Sequence, residues 1–182
     1  MAATASVAER NRDLIHRYWT ALTTGHIEDF AALVHEDAVF HYPGNHFLSG
    51  NYRGKEAVVG LYTNLIKLAG GGVFRGVLHD VAVGEEYTVA ILSYRMQLMR
   101  TRSLPGRACG LFRIVGGKIR EYWLFEWDQS MINDLVRTAG GGIVWRNRGP
   151  LRFIVSLPRS AVGSVRTAGR LFGGRYTAPT EV

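Results

Sequence analysis

The sequence predicts an α+β fold in which N-terminal helices pack on a long, curved antiparallel sheet to form a cone, followed by a basic C-terminal extension. Three observations predict it. Apart from one short strand, the apolar period is 3.6 residues up to Leu68 and 2 from Val73 to Trp127. The later strands are joined by short glycine-containing links of the kind that make hairpin turns. The chain has 182 residues, 47% of them apolar, which suffices for one domain with an appendage and not for two full domains.

Residues 6–24 place Val7, Ile15, Tyr18, Trp19 and Leu22 at helical spacing, and Thr23-Thr24-Gly25 ends the helix because glycine readily takes the left-handed C′ conformation. A short helix follows over Ile27–Val34, with Ile27, Phe30, Ala31 and Val34 apolar. Ala38–Tyr42 reads as a strand, stopped by Pro43-Gly44. The loop NHFLSGNYRG leads to a third helix, Lys55–Leu68, with Val58, Leu61, Tyr62 and Leu65 on one face, and Gly70-Gly71-Gly72 breaks it. Strands then fit Val73–Val83, Tyr87–Thr101, Arg107–Val115 and Lys118–Trp127. Their links are Gly84-Glu85-Glu86, a turn containing Leu104-Pro105-Gly106, and Gly116-Gly117, so the predicted sheet is an antiparallel meander. Helices on one face of such a sheet enclose an apolar interior, a natural pocket.

Composition excludes several classes. Cys109 is the single cysteine, which rules out an intramolecular disulfide and a cysteine cluster for a metal and fits a reducing cytoplasm. The N-terminal MAATASVAERNRDLI lacks the basic and apolar regions of a signal peptide, and no apolar run approaches the roughly 18 residues of a spanning helix. A cytoplasmic protein is expected. The net charge of +7 is unevenly placed: residues 1–140 hold 15 Lys+Arg against 14 Asp+Glu, whereas residues 141–182 hold seven Arg and one Glu. A nearly neutral body lacks the basic, aromatic-interleaved surface of a nucleic-acid binder. The glycine clusters form neither GxxxxGKS nor GxGxxG between strand and helix, the six histidines are scattered, and no helix carries an HxxxH pair. No nucleotide, metal or other cofactor is therefore expected.

The segments RYWTALTTGHIEDFAALVHEDAVFHYPG, LSGNYRGKEAVVGLYTNL and GGKIREYWLFEWDQ resemble the nuclear transport factor 2-like superfamily, and within it the SnoaL-like proteins, over about residues 8–136. The resemblance implies the cone fold, a homodimer formed through the sheet, and a hydrophobic small-molecule ligand. It does not fix the chemistry, since the superfamily includes isomerases, polyketide cyclases, epoxide hydrolases, dehydratases and proteins without catalysis. Three site patterns follow from it residue by residue. Tyr18 matches the helix-1 oxyanion donor of the steroid isomerases, but Tyr42 stands where their base precedes a proline and Gly110 where their second acid falls. Arg95 matches the arginine of the limonene-type epoxide hydrolase triad, whose acids fall on Gln97 and Phe125. Trp123 matches the last-strand tryptophan of the SnoaL-type cyclases, whose aspartate falls nearest Trp127, with Asp128 one residue beyond.

Each candidate has a chemical and a plain structural reading. His41 matches the family's HxPG strand and is either an acid–base in the cone or a histidine that hydrogen-bonds a neighbour. The triad resemblance puts Arg95 inside the cone with Gln97, where Glu121, sharing strand parity with Trp123, is its candidate partner. Trp123, Phe125 and Trp127 form either ordinary core or a flat wall for a polycyclic or polyene ligand. Tyr18 is an oxyanion donor or a packed tyrosine with a satisfied hydroxyl, and Asp128 is a base or the N-cap of a helix starting at Gln129.

The extension has its own pattern. Ala161, Val162, Val165, Ala168, Leu171 and Phe172 make a helical stripe flanked by Arg159, Arg166 and Arg170, which reads as a peripheral membrane or protein contact. Residues 143–157 read instead as packed across the chain's own or a neighbour's barrel, and residues 174–182 as disordered. The boundaries expected are thus a cone domain over 1–140 and a basic extension over 141–182. The function expected is cofactor-independent acid–base chemistry on a polyketide- or terpenoid-like molecule. The alternatives are binding without chemistry and an epoxide hydrolase-like enzyme with a divergent site.

Overall fold

The computed structural model describes residues 5–46, 48–68, 75–98 and 102–133, so the expectations for the extension lie outside the described residues. Helix α1 (Val7–Thr24) starts at a capping box: the Ser6 hydroxyl accepts from the Glu9 N–H, and the Glu9 carboxylate accepts from the Ser6 N–H at 2.6 Å. It ends at Gly25, whose φ of 75° is the left-handed conformation expected there. Leu14, Ile15, Tyr18, Trp19 and Leu22 are its buried face. Helix α2 (Ile27–Leu33) contributes the fully buried Phe30 and passes directly into strand β1 (Val34–Tyr42), four residues before the strand start expected at Ala38.

The segment after Pro43 contains a strand that the sequence had placed in a loop. β2 (Gly50–Arg53) pairs antiparallel with β1, His41 opposite Asn51. Four residues of Gly, Asn, Tyr and Arg carry no apolar alternation; pairing with β1 makes them a strand. Helix α3 (Lys55–Leu68) buries Val58, Leu61 and Tyr62. Strands β3 (Arg75–Val83), β4 (Tyr87–Leu98), β5 (Arg102–Val115) and β6 (Lys118–Glu126) complete the order β2-β1-β6-β5-β4-β3.

Two expectations about the sheet are corrected. It is mixed: β3 to β6 form the expected antiparallel meander, but β1 lies parallel to β6, with His41 opposite Trp123. The crossover from β1 to β6 runs through the rest of the domain, as a parallel pair requires. The Leu104-Pro105-Gly106 segment is also strand rather than turn, with Pro105 opposite Arg95 and Gly106 opposite Tyr94. The β5–β6 register runs from Ala108, opposite Glu126, to Val115, opposite Lys118. The expected Gly116-Gly117 hairpin holds, both residues having positive φ (59° and 71°).

Alternation splits the sheet into two faces. Ala38, Phe40 and Tyr42 on β1, Tyr122 on β6, Ala108 and Phe112 on β5, and Ala90, Leu92 and Tyr94 on β4 are all buried under the helices. Here α1 packs on β3 and β4, and α3 on β1. Register shifts in the β3–β4, β5–β6 and β1–β6 ladders mark the irregularities that bend such sheets. No helix among the described residues is long and apolar enough to cross a membrane.

Candidate functional site

The inner face is built from tyrosines. Among the described residues five tyrosines, Tyr18, Tyr42, Tyr62, Tyr94 and Tyr122, are buried there. The hydroxyls of Tyr18 and Tyr62 lie 2.6 Å apart and share a hydrogen bond, and Tyr18 packs edge-on against Phe112 at 5.3 Å. Burial pushes the phenols of Tyr18, Tyr62 and Tyr122 well above their ordinary range, so all three stay protonated. Tyr42 is raised in the same way, first by burial and then by the charge of Glu126.

Among these phenols stands one carboxylic acid. Glu126, the last residue of β6, lies opposite the buried Ala108 and therefore on the inner face. The Tyr94 hydroxyl donates to Glu126 Oε2 at 2.6 Å. Burial pushes the Glu126 carboxyl up to about 7, against the pull of the Tyr94 bond in the other direction. The residue as a whole keeps partial exposure. An acid that exchanges its proton near neutrality, ringed by protonated phenols, is equipped for proton transfer beside an oxygen that develops negative charge.

The opposite face carries His41, Glu121, Trp123, Phe125 and Arg95. His41 points away from the buried Phe40 and Tyr42. Its Nε2 lies 2.9 Å from Glu121 Oε1, its Nδ1 lies 2.8 Å from Asn51 Oδ1, and its ring stacks on Trp123 at 5.0 Å and 10°. Arg95 is exposed, next to the buried Tyr94, so its expected interior position is corrected. The Glu121 carboxylate meets His41 instead of Arg95. Phe125 is 55% and Trp127 80% exposed, so neither belongs to an interior wall. Asp128 accepts from the Met131 N–H at 2.8 Å and caps the helical residues 129–133. Gln97 lies opposite Ser103 on β4, and its side chain lies outside the described set. Of the expected site residues whose side chains are described, Tyr18 and Tyr42 are therefore the pair inside. Among the described residues no group of three His, Cys, Asp or Glu side chains could hold a metal.

A family model of the SnoaL-like domain matches residues 15–122, more than half of the chain. The chain belongs to the SnoaL-like family. Solved structures show the same fold for this SnoaL-like chain. Bal32a, from a soil-derived mobile gene cassette, is 22% identical with a TM-score of 0.65, covering 70% of this chain and 97% of its own. An NTF2-like protein of unknown function from Cytophaga hutchinsonii is 17% identical with a TM-score of 0.53, covering 72% and 99%. TerC, co-crystallised with polyporic acid, is 15% identical with a TM-score of 0.62, covering 70% and 98%. No curated protein matches the chain.

The SnoaL-like span that the family model matches ends at Tyr122, four residues before Glu126. Sequence reasoning missed both Glu126 and Tyr94. The signal that could have found them is strand parity: Tyr122, Leu124 and Glu126 share the phase of Phe40 and Tyr42 once His41 is set opposite Trp123. A second signal is the run of small residues Gly106, Ala108 and Gly110 on the inner face of β5, which leaves room for the large rings of β4 and β6.

Proposed function

We propose that this SnoaL-like protein is a cofactor-independent enzyme that isomerises or cyclises a hydrophobic, carbonyl-bearing small molecule of polyketide or terpenoid type, with Glu126 as the general base. The single observation that carries the reading is an enclosed carboxyl exchanging its proton near pH 7 on the phenol-lined inner face. Glu126 removes a proton from the carbon beside the carbonyl. The C–H electron pair moves into the new C=C, and the carbonyl pair moves onto oxygen. That enolate oxygen accepts a hydrogen bond from Tyr42, whose raised phenol remains a donor. Return of the proton to another carbon completes an isomerisation; attack of the enolate carbon on a second carbonyl, with the proton delivered to the new alkoxide, completes a cyclisation. TerC's co-crystallisation with polyporic acid supports a small-molecule ligand for the fold. In this reading the proton-handling role expected of His41 passes to Glu126, and Tyr18 supports the phenol cluster through Tyr62.

One observation favours binding without chemistry: the Tyr18 and Tyr62 hydroxyls are engaged in one hydrogen bond with each other inside a closely packed aromatic cluster. Gene deletion in the native host, complemented with wild type, Glu126→Gln or His41→Ala, separates the two. The enzyme reading expects a precursor that accumulates in the deletion and is cleared by wild type and His41→Ala but not by Glu126→Gln. Clearance by Glu126→Gln overturns it.

A homodimer through the outer face is proposed with it. Trp123, Leu111 and Val89 form one cross-strand row there, and Phe125, Cys109 and Ile91 the next, an apolar surface continuous over three strands. Ile91 is 46% and Phe125 55% exposed in the isolated chain. Sedimentation should show wild type as a dimer and Phe125→Glu as a monomer; a monomeric wild type ends this proposal.

A further inference from the structure

We infer that Tyr94, laid across β5 where Gly106 has no side chain, is a positioning residue that orients the Glu126 carboxyl and tunes its proton affinity. The inference rests on the reading of Glu126 given above. Tyr94 is on β4 and Glu126 on β6, two strand spacings apart, or roughly 10 Å in the hydrogen-bonding direction. The register places Tyr94 opposite Gly106 and Ala108 opposite Glu126, so the phenol must run flat and diagonally over β5 to reach its acceptor. Gly106 is what makes that path available: a Cβ there would overlap the Tyr94 ring and lie 2.7 Å from its hydroxyl oxygen. The path ends in a short bond, 2.6 Å from the Tyr94 hydroxyl to Oε2, in the range of hydrogen bonds to a charged acceptor.

The bond has a chemical consequence as well as a geometric one. Donation to the carboxylate favours the ionised form, while burial favours the neutral one. The other groups that bear on Glu126 are Tyr42 from β1 and Tyr122 from its own strand; β5 faces it with Ala108, which does not titrate. A general base must be largely ionised at working pH, and Tyr94 supplies the donor that opposes burial. It also holds Oε2, leaving Oε1 as the oxygen that meets substrate.

The test is a side-chain carboxyl titration by carbon-13 NMR on full-length protein labelled at glutamate, with Glu126→Gln identifying the resonance. Wild type is expected to titrate near pH 7. Tyr94→Phe should raise the midpoint by about one unit, a roughly tenfold gain in proton affinity. Gly106→Ala, which keeps the phenol but displaces it, should move the midpoint the same way. Thermal unfolding confirms that each variant is folded; if Gly106→Ala is not, Tyr94→Phe decides alone. A wild-type midpoint near 7 that Tyr94→Phe leaves unmoved or lowers overturns the role of Tyr94 and spares Glu126. A wild-type midpoint in the ordinary carboxylate range overturns the Glu126 reading and this inference together.

Discussion

Strand β6 passes between two environments at every residue. On the inner face Tyr122, Leu124 and Glu126 meet phenols and alkyl groups under the helices; on the outer face Glu121, Trp123 and Phe125 meet solvent, the His41 imidazole and the Tyr87 ring. The same side-chain type behaves differently on the two sides. Glu121, about a quarter exposed, sits 2.9 Å from His41, a pairing that ties β6 to β1 and through Asn51 to β2. Glu126, five residues on, has a phenol for a partner and its proton held up to about 7 by burial. A carboxylate matched to a histidine in partial solvent serves as a cross-strand clamp. One enclosed among neutral donors has its proton affinity raised toward neutrality, as the proposed base requires.

The largest effect that separates the faces is the dependence of stability on pH. Glu126 has a folded-state value of about 7 against 4.5 for the free group, so between those pH values the folded state binds the extra proton. Stability from this group is fully present below about pH 4.5 and declines as pH rises through 7, by on the order of 2–3 kcal/mol. Denaturant unfolding at pH 5 and pH 8 should show that decline in wild type and a flatter profile in Glu126→Gln. A Glu126→Gln profile as steep as wild type would assign the decline to other groups and remove the contrast between the faces.

His41→Ala probes the outer clamp. It deletes the contacts to Glu121 and Asn51 and the stack on Trp123, and should cost about 1–2 kcal/mol of stability. Turnover in the folded variant should remain within a few-fold of wild type. A thousandfold loss in turnover with unchanged stability would make the outer face the reactive one and reverse the assignment.

The residues explain why the faces were harder to read than the fold. The helices and the meander follow from local signals: Ser6 and Gly25 bound α1, the period shifts to 2 after the glycine triplet, and Gly116-Gly117 makes the hairpin. The phase of β1 was also legible, since Ala38, Phe40 and Tyr42 alternate with Asp37, Val39 and His41. What was not legible was the pairing of β1 with β6, because parallel neighbours more than eighty residues apart leave no turn to fix their register. Without His41 opposite Trp123, the large aromatics of β6 look like core, and nothing on β4 counters the triad resemblance that put Arg95 inside. The inner face is marked also by glycines on β5: Gly106 makes space for the ring of Tyr94, and Gly110 for those of Phe112 and Tyr122. Gly106 is one such position, and its meaning depends on Tyr94 lying over it.

The smallest effect lies just past Glu126, where the chain turns from strand to helix. Asp128 accepts from the Met131 N–H at 2.8 Å, and the turn it closes delivers Met131 and Ile132, both nearly fully buried, to the core. An aspartate N-cap of this kind contributes about 1 kcal/mol. Asp128→Asn keeps the acceptor and removes the charge, whereas Asp128→Ala removes both. If Asp128 is only a cap, Asp128→Asn should match wild type in stability and turnover, and Asp128→Ala should lose about 1 kcal/mol with turnover nearly intact. A sharp loss of turnover in Asp128→Asn, with stability unchanged, would mean that its charge is used in the chemistry. The base would then have to be sought at the end of the sheet as well as on its inner face.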